Sequence, residues 1–533
     1  IVKRLAAAPP SAVTADHWRH VKSLYGTFSN NLLWLDENGA HQPRVSALLN
    51  AVADADSDAL RLDAYPLVDL SRSLGAIDKE QKPTADALAD ADLLLSATFV
   101  AYGESMLTGQ TDPAGLGQNW HISAREERVD SALTLTLRED DFGAGLVRMR
   151  PQDPGYDSLR TQFVHFRDLV SRGAWDTVPA GRQLKPGDSD SPTRLAALRA
   201  RLIAEGFLSD SAAMGVAGTD STSDTAKVVK KAARAGRTGP GVYDRRLAGA
   251  VAEFQARHAI GVDSMLGKET VDAMNVPAEY RLAQVAANLE RYRWLPRALG
   301  NRYIIVNVPQ FHLAAYDSGQ QTLEMKVIVG QEYEDKATPV FSDSMEFVIF
   351  RPYWNITDAI ARKEIWPKVD ADPGYLAANN MEVYNDHGVR RVRQLPGPKN
   401  SLGLVKFMFP NDFNIYLHDT PNGELFKKDV RAFSHGCIRL EKPAELAQWV
   451  LGWDADRVQQ AMHDGSNNHQ VNLPKKIPVY IVYFTAYARG GQLYFGNDLY
   501  DRDSKLVEQV KGVALQSPET AKAIEALREL AKS

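Results

Sequence analysis

The 533-residue chain sets 62 Lys and Arg against 67 Asp and Glu, a net charge of −5, with 44% hydrophobic and 24% charged residues. That is an ordinary globular balance, too mild to recruit a nucleic acid, and no basic cluster is interleaved with aromatics. No run of 18 apolar residues exists to span a membrane; the most apolar stretch, Ile477 to Ala488, is short and rich in β-branched residues, a core strand.

The length gives a prior of roughly three domains. Residues 1 to about 190 read mostly helical. Leu32 to Leu35 leads into the turn Asp36-Glu37-Asn38-Gly39, and Ala47 to Ala53 and Tyr65 to Leu74 have helical spacing. Ala85 to Tyr102 is a long Ala/Leu helix with apolar positions three and four apart, and Ser158 to Arg172 is another. Aspartates alternate with alanine in the first of these without calcium-loop spacing, so they read as a solvated helix face. No chemistry is visible in the region, and it is expected to be a scaffold.

Gly187 to Pro192 is a linker by composition. Leu195 to Glu205 follows as an amphipathic helix closed by Gly206. A second helix runs from Leu247 to His258, and Gly267 opens a third that ends at Asn275. With Leu198, Leu202, Gly206, Phe254, Gln255, His258, Asp263, Gly267 and Thr270, the unit resembles the three-helix peptidoglycan-binding module. A polar stretch from about Ser209 to Pro240 departs from that module's short loop, and Ala226 to Arg237 reads as an extra helix. Gly261 to Glu269 is not a phosphate loop, because five residues precede Gly-Lys and Glu stands where Ser or Thr is needed.

Glu279 to Trp294 reads as a helix, after which the pattern changes. Tyr303 to Val308, Phe311 to Tyr316, Thr322 to Gly330 and Glu346 to Phe350 alternate apolar and polar residues, as strands do. Between Trp354 and Asn400 lies an aromatic, polar excursion, poor in strand pattern, with Thr357 or Asp358 placed to cap a helix through Lys368. Later, Pro443 to Gly452 and Ala455 to His463 are short helices, while Pro478 to Tyr487 and Gln492 to Phe495 are strands expected to return to the sheet. Pro518 to Lys532 is an amphipathic helix expected to dock on the scaffold.

Cys437, the single cysteine, rules out an internal disulfide. It stands in Ser434-His435-Gly436-Cys437-Ile438-Arg439-Leu440, with His418 19 residues upstream in Tyr416-Leu417-His418-Asp419-Thr420-Pro421. A lone cysteine is most often a small buried hydrophobe. A thiol becomes a nucleophile only as thiolate, which a nearby imidazole can generate. Either histidine is a candidate base on spacing alone. Gly436 permits a sharp turn and close backbone approach to a substrate. Amides near Gly436 and Cys437 suit an oxyanion.

The whole pattern, with Asn400-Ser401-Leu402-Gly403, Lys406-Phe407, Phe409-Pro410-Asn411 and Arg431-Ala432-Phe433, resembles the L,D-transpeptidase catalytic domain over about 40 residues. The resemblance implies Cys437 as nucleophile and His418 as base, oriented by a backbone carbonyl, since Asp419 on a strand points to the other face. Ser434 and His435 then shape the loop, and the Tyr416 hydroxyl aids the oxyanion. Arg439 is a candidate for a substrate carboxylate, and Tyr353, Trp354 and Asn400 are candidate lining residues. The excursion at about 355–400 becomes a lid that excludes water.

The expected architecture is α+β and multidomain: a helical scaffold over 1–190, the three-helix module at 191–277, a connecting scaffold helix at 278–300, a mostly β catalytic domain at 301–497 and a C-terminal helix at 498–533. The implied activity is a 3-3 peptidoglycan cross-linking acyl transfer between a donor and an acceptor stem peptide, with carbapenems acylating Cys437 and with no cofactor or metal. A thiol hydrolase on the same fold and a non-catalytic wall-binding protein are the rivals. The implied compartment is the periplasm. Because the chain begins at Ile1 rather than Met, a removed export signal or membrane anchor is expected.

Overall fold

A computed structural model describes residues 1–79, 82–117, 119–122, 129–209, 239–332, 336–514 and 516–532. The extra helix expected within the Ser209–Pro240 stretch lies outside the described residues. The chain forms two compact units, one of residues 1–117, 123–298 and 485–533, the other of residues 118–122 and 299–484.

The first unit is built around the helix Ala85–Thr108, whose N-terminus is capped by the Thr84 hydroxyl accepting from the Ala87 N–H. Its Ala/Leu composition leaves it buried nearly all round, and Trp34, Phe99 and Phe142 meet edge to face against it. The solvated face expected from its aspartates is only partly there. Asp86 and Asp90 are exposed, but Asp92 is fully buried and accepts hydrogen bonds from the backbone N–H groups of Leu33, Trp34 and Leu35 and from the Tyr25 hydroxyl. Composition could not reveal this, because the donors come from a turn 57 to 59 residues away. The helix Pro518–Leu530 packs on this unit through Ala523, Ile524 and Leu527.

The three helices Pro192–Ala204, Arg245–Arg257 and Lys268–Met274 enclose a small core of Leu198, Leu202, Phe254, Leu266 and Met274. Gln255 is used structurally: its amide donates to Asp263, Met265 and Thr270 and accepts from the Asp263 and Ser264 N–H groups. His258 stacks on Phe254 at 3.7 Å and on Phe495 at 5.2 Å.

Phe495 belongs to a separate two-stranded hairpin, Ala486–Arg489 with Gln492–Phe495. These strands do not return to the main sheet, and the boundary at 497 is corrected: the sheet-bearing unit ends at Phe484. The hairpin's Phe495 instead packs on Phe166 and His258 of the helical unit.

The second unit contains strands β1 (Trp120–His121), β2 (Arg302–Asn307), β3 (His312–Asp317), β4 (Gln320–Gly330), β5 (Val340–Phe350), β6 (Trp354–Asn355), β7 (Met381–Asp386), β8 (Val389–Gln394), β9 (Val405–Met408), β10 (Leu417–His418), β11 (Ala432–Ser434), β12 (Ile438–Leu440) and β13 (His469–Val482). The main sheet runs β1-β5-β13-β2-β3-β4-β12-β10-β9, and β9 pairs back with β5, so the path from β5 to β9 closes on itself. Period-two alternation then assigns the faces. Val405, Phe407, Leu417, Ile438 and Leu440 are buried inside, which places Lys406, Tyr416, His418, Cys437 and Arg439 on the outer face.

The excursion at 355–400 holds more strand than its composition suggested. β6, β8 and β7 form their own three-stranded sheet, and His387 (φ +50°) with Gly388 (φ +87°) makes the tight turn of the β7–β8 hairpin. Charged side chains stabilise it: Arg393 lies over the Tyr353 ring at 4.3 Å and Arg390 over Trp366 at 4.8 Å. Thr357 caps the following helix, accepting from the Ile360 N–H.

Candidate active site

Strand register assembles the site. β10 and β12 run parallel with Leu417 beside Ile438 and His418 beside Arg439. β9 runs antiparallel on the other side of β10, with Lys406 opposite His418. Lys406, His418 and Arg439 therefore form one row across three strands. Tyr416 and Cys437, each two residues earlier, share that outer face.

His418 is 4% exposed, and its Nδ1 lies 2.6 Å from the carbonyl oxygen of Asp419. That oxygen can only accept, so Nδ1 carries the proton and Nε2 keeps its lone pair. Burial, reinforced by the Arg439 charge, lowers the imidazole to about 3, so it is neutral near pH 7. The Asp419 carboxylate takes no part in this. It accepts from the Leu404 and Thr420 N–H groups at 2.8 and 2.7 Å. It also lies where a Cβ at Gly403 would stand, 2.3 Å away, so that turn (φ +62°) requires glycine.

Burial pushes the Cys437 thiol up, opposed by hydrogen bonds from the Tyr416 amide and hydroxyl and by the charges of Lys406 and Arg439. The loop around it is held from three directions. Ser434 Oγ donates to the Cys437 carbonyl and accepts from the Gly436 N–H at 3.1 Å. Thr338, fully buried, donates to the Gly436 carbonyl at 2.9 Å. Gly436 sits at φ +109°, where a Cβ would meet Ile415 at 3.1 Å. The Gly436 N–H is thus occupied, which corrects its expected role as an oxyanion donor; the Cys437 N–H has no partner among the described residues.

His435 is turned away from this row. Its Nε2 pairs with Glu364 Oε1 at 2.7 Å, joining the cysteine loop to the helix of the excursion. Tyr353 and Trp354 lie at the root of the excursion, where Trp354 packs against Ile356, Ala361, Ile365 and Val392. Asn400 is corrected as a lining residue. It is fully buried, its amide donates to the Pro352, Gln394 and Leu395 carbonyls, and its oxygen accepts from the Leu402 N–H. It fastens the root of the excursion instead.

Arg439 and Lys406 have no carboxylate in ion-pair distance among the described residues. Burial lowers Arg439 from its ordinary value and Lys406 to about 8. Lys406, Thr338 and Glu364 are the residues that sequence reasoning left without a role. Lys406 alone had a signal, a single cation between apolar Val405 and Phe407 in a strand. Thr338 and Glu364 reach the loop only through tertiary contact.

Residues 301–481 match the YkuD family, an L,D-transpeptidase catalytic domain, and residues 19–163 match a scaffold-domain family. A curated relative from Haemophilus influenzae, provisionally named L,D-transpeptidase, is 31% identical over 243 residues, covering 42% of this chain and 48% of its own. The chain thus spans about half the length of that curated relative. A crystal structure of residues 123–326 of an L,D-transpeptidase from Xylanimonas cellulosilytica is 15% identical, with 57% of this chain and 99% of that chain covered and a TM-score of 0.20.

Proposed function

We propose, from the L,D-transpeptidase catalytic domain at residues 301–481, that this protein cross-links peptidoglycan stem peptides by a cysteine acyl transfer. The observation that carries the reading is the single thiol sharing one outer sheet face with a neutral imidazole whose Nδ1 is committed to a backbone carbonyl.

His418 Nε2 takes the Cys437 proton as sulfur attacks the carbonyl of the third residue of a donor tetrapeptide stem. The tetrahedral oxyanion is met by the Cys437 N–H and the Tyr416 hydroxyl. The C–N bond to the terminal D-alanine breaks, His418 returns the proton to the leaving amine, and a thioester remains. The side-chain amine of an acceptor stem attacks the thioester, loses its proton to His418, and forms the 3-3 amide as the thiol is restored. Arg439, which has no carboxylate in ion-pair distance among the described residues, holds a carboxylate of the donor. The 355–400 segment acts as a lid, tied to the cysteine loop by Glu364 and His435. A carbapenem acylates Cys437: the sulfur attacks the β-lactam carbonyl, the ring C–N bond breaks with the proton going to nitrogen, and a thioester remains. The setting is the periplasm, and the three-helix module serves as a peptidoglycan-facing element.

The test is product analysis. The protein and Cys437→Ala are incubated with disaccharide-tetrapeptide and read by mass spectrometry. A dimer lacking one alanine, absent with the variant, is the expected result. Tripeptide without dimer would assign the thioester to water and make the protein a hydrolase. No product with either would remove the catalytic reading.

A further inference from the structure

Lys406 stands on β9 directly opposite His418, in the row that ends at Arg439. Its Nζ lies 3.6 Å from the centroid of the Tyr416 ring, and Tyr416 shares the outer sheet face with Cys437. A cation on a ring face is attracted to it and makes the phenol a better hydrogen-bond donor. A buried ammonium ordinarily has a carboxylate partner. Here β5 presents Ile349, β10 presents His418 with Tyr416 just before the strand, and β12 follows with Arg439; no acidic group is among them. The negative charge that answers Lys406 is the one created when Cys437 ionises.

We propose that Lys406 is a positioning residue for the nucleophile, holding the Tyr416 ring by its face and supplying the positive charge that favours the Cys437 thiolate. The role fits a site where His418 is neutral and so contributes no charge of its own to an ion pair. Lys406 is lowered to about 8, so the assistance is full below that pH and fades above it as the ammonium loses its proton. Arg439 remains charged and provides a constant background.

The inference rests on Cys437 being the reactive thiol but not on the peptidoglycan reaction, so its test uses iodoacetamide. Sulfur displaces iodide, forming one S–C bond per chain, and Cys437 is the only cysteine in the sequence. The rate follows the thiolate fraction. It is measured against pH for the full chain, Lys406→Met and Lys406→Arg, with far-UV circular dichroism as the check on folding. Removing a nearby cation raises a thiol pKa, so the Lys406→Met profile is expected about one pH unit higher. Lys406→Arg, which keeps the charge, is expected to stay with the parent below pH 8 and to rise more steeply than the parent above it, because its charge does not titrate there. A Lys406→Met profile that coincides with the parent overturns the proposal, as does a Lys406→Arg profile displaced as far as that of Lys406→Met. Should Lys406→Met not fold, the Lys406→Arg profile decides: unshifted supports the role, shifted upward overturns it.

Discussion

Two regions of this molecule handle buried charge in opposite ways. In the helical unit, Arg291 pairs with Asp503 at 2.6 Å and also bonds Asn288, Thr485 and the Arg502 carbonyl. Arg293 likewise pairs with Glu290 at 2.7 Å and bonds the Asp58 carbonyl and Tyr156. On the outer face of the sheet, Lys406 and Arg439 have no acidic partner among the described residues, and His418 is held neutral. Satisfied charges fix a fold; unsatisfied ones are retained where a ligand or a reaction intermediate completes them.

The largest expected effect is at the base: His418→Asn should lower kcat by about 10²- to 10⁴-fold while the urea midpoint stays near the parent's. A comparable energy should appear as stability in the helical unit. Arg291→Met leaves Asp503 buried and unpaired and should cost about 3–5 kcal/mol in urea unfolding. Arg439→Met, by contrast, should change stability by less than about 1 kcal/mol and raise the donor KM roughly 10- to 100-fold. Equal stability losses for the two arginines would erase the distinction between the regions.

Acid should reveal His418 next. The folded imidazole titrates near 3 and the unfolded one near 6.5. Between those values the unfolded chain binds the extra proton, so His418 contributes a loss of stability as pH falls from 6.5 toward 3. His418→Asn should reduce the slope of unfolding free energy against pH in that window by up to one proton. The smallest effect belongs to the lid tie. Glu364 and His435 are each more than a third exposed, so Glu364→Gln should change kcat/KM by at most about fivefold, and added salt should abolish the difference.

What could be read from the sequence follows the range of the interactions involved. Cys437, His418, Tyr416 and Arg439 lie within two short segments, and the parallel pairing of β10 with β12 places all four on one face. The Asn400 lining role failed because its amide is consumed by carbonyls from 352, 394 and 395, partners that a linear pattern does not show. Asp92 misled for the same reason. The alternation in Gln492–Phe495 correctly marks a strand, but alternation does not say which sheet a strand joins, and among the described residues this one pairs with its own hairpin neighbour alone. Lys406 was visible as a cation in an apolar strand, yet its role depends on the β9–β10 register.

The central claim is that Cys437 carries the acyl group. The full chain should be mixed with a tetrapeptide-stem donor without acceptor, quenched in acid and weighed intact. A mass gain equal to the donor minus D-alanine is expected, located by fragmentation on Cys437 and absent from Cys437→Ala. A donor converted with no adduct at any quench time, or an adduct that persists in Cys437→Ala, would contradict it.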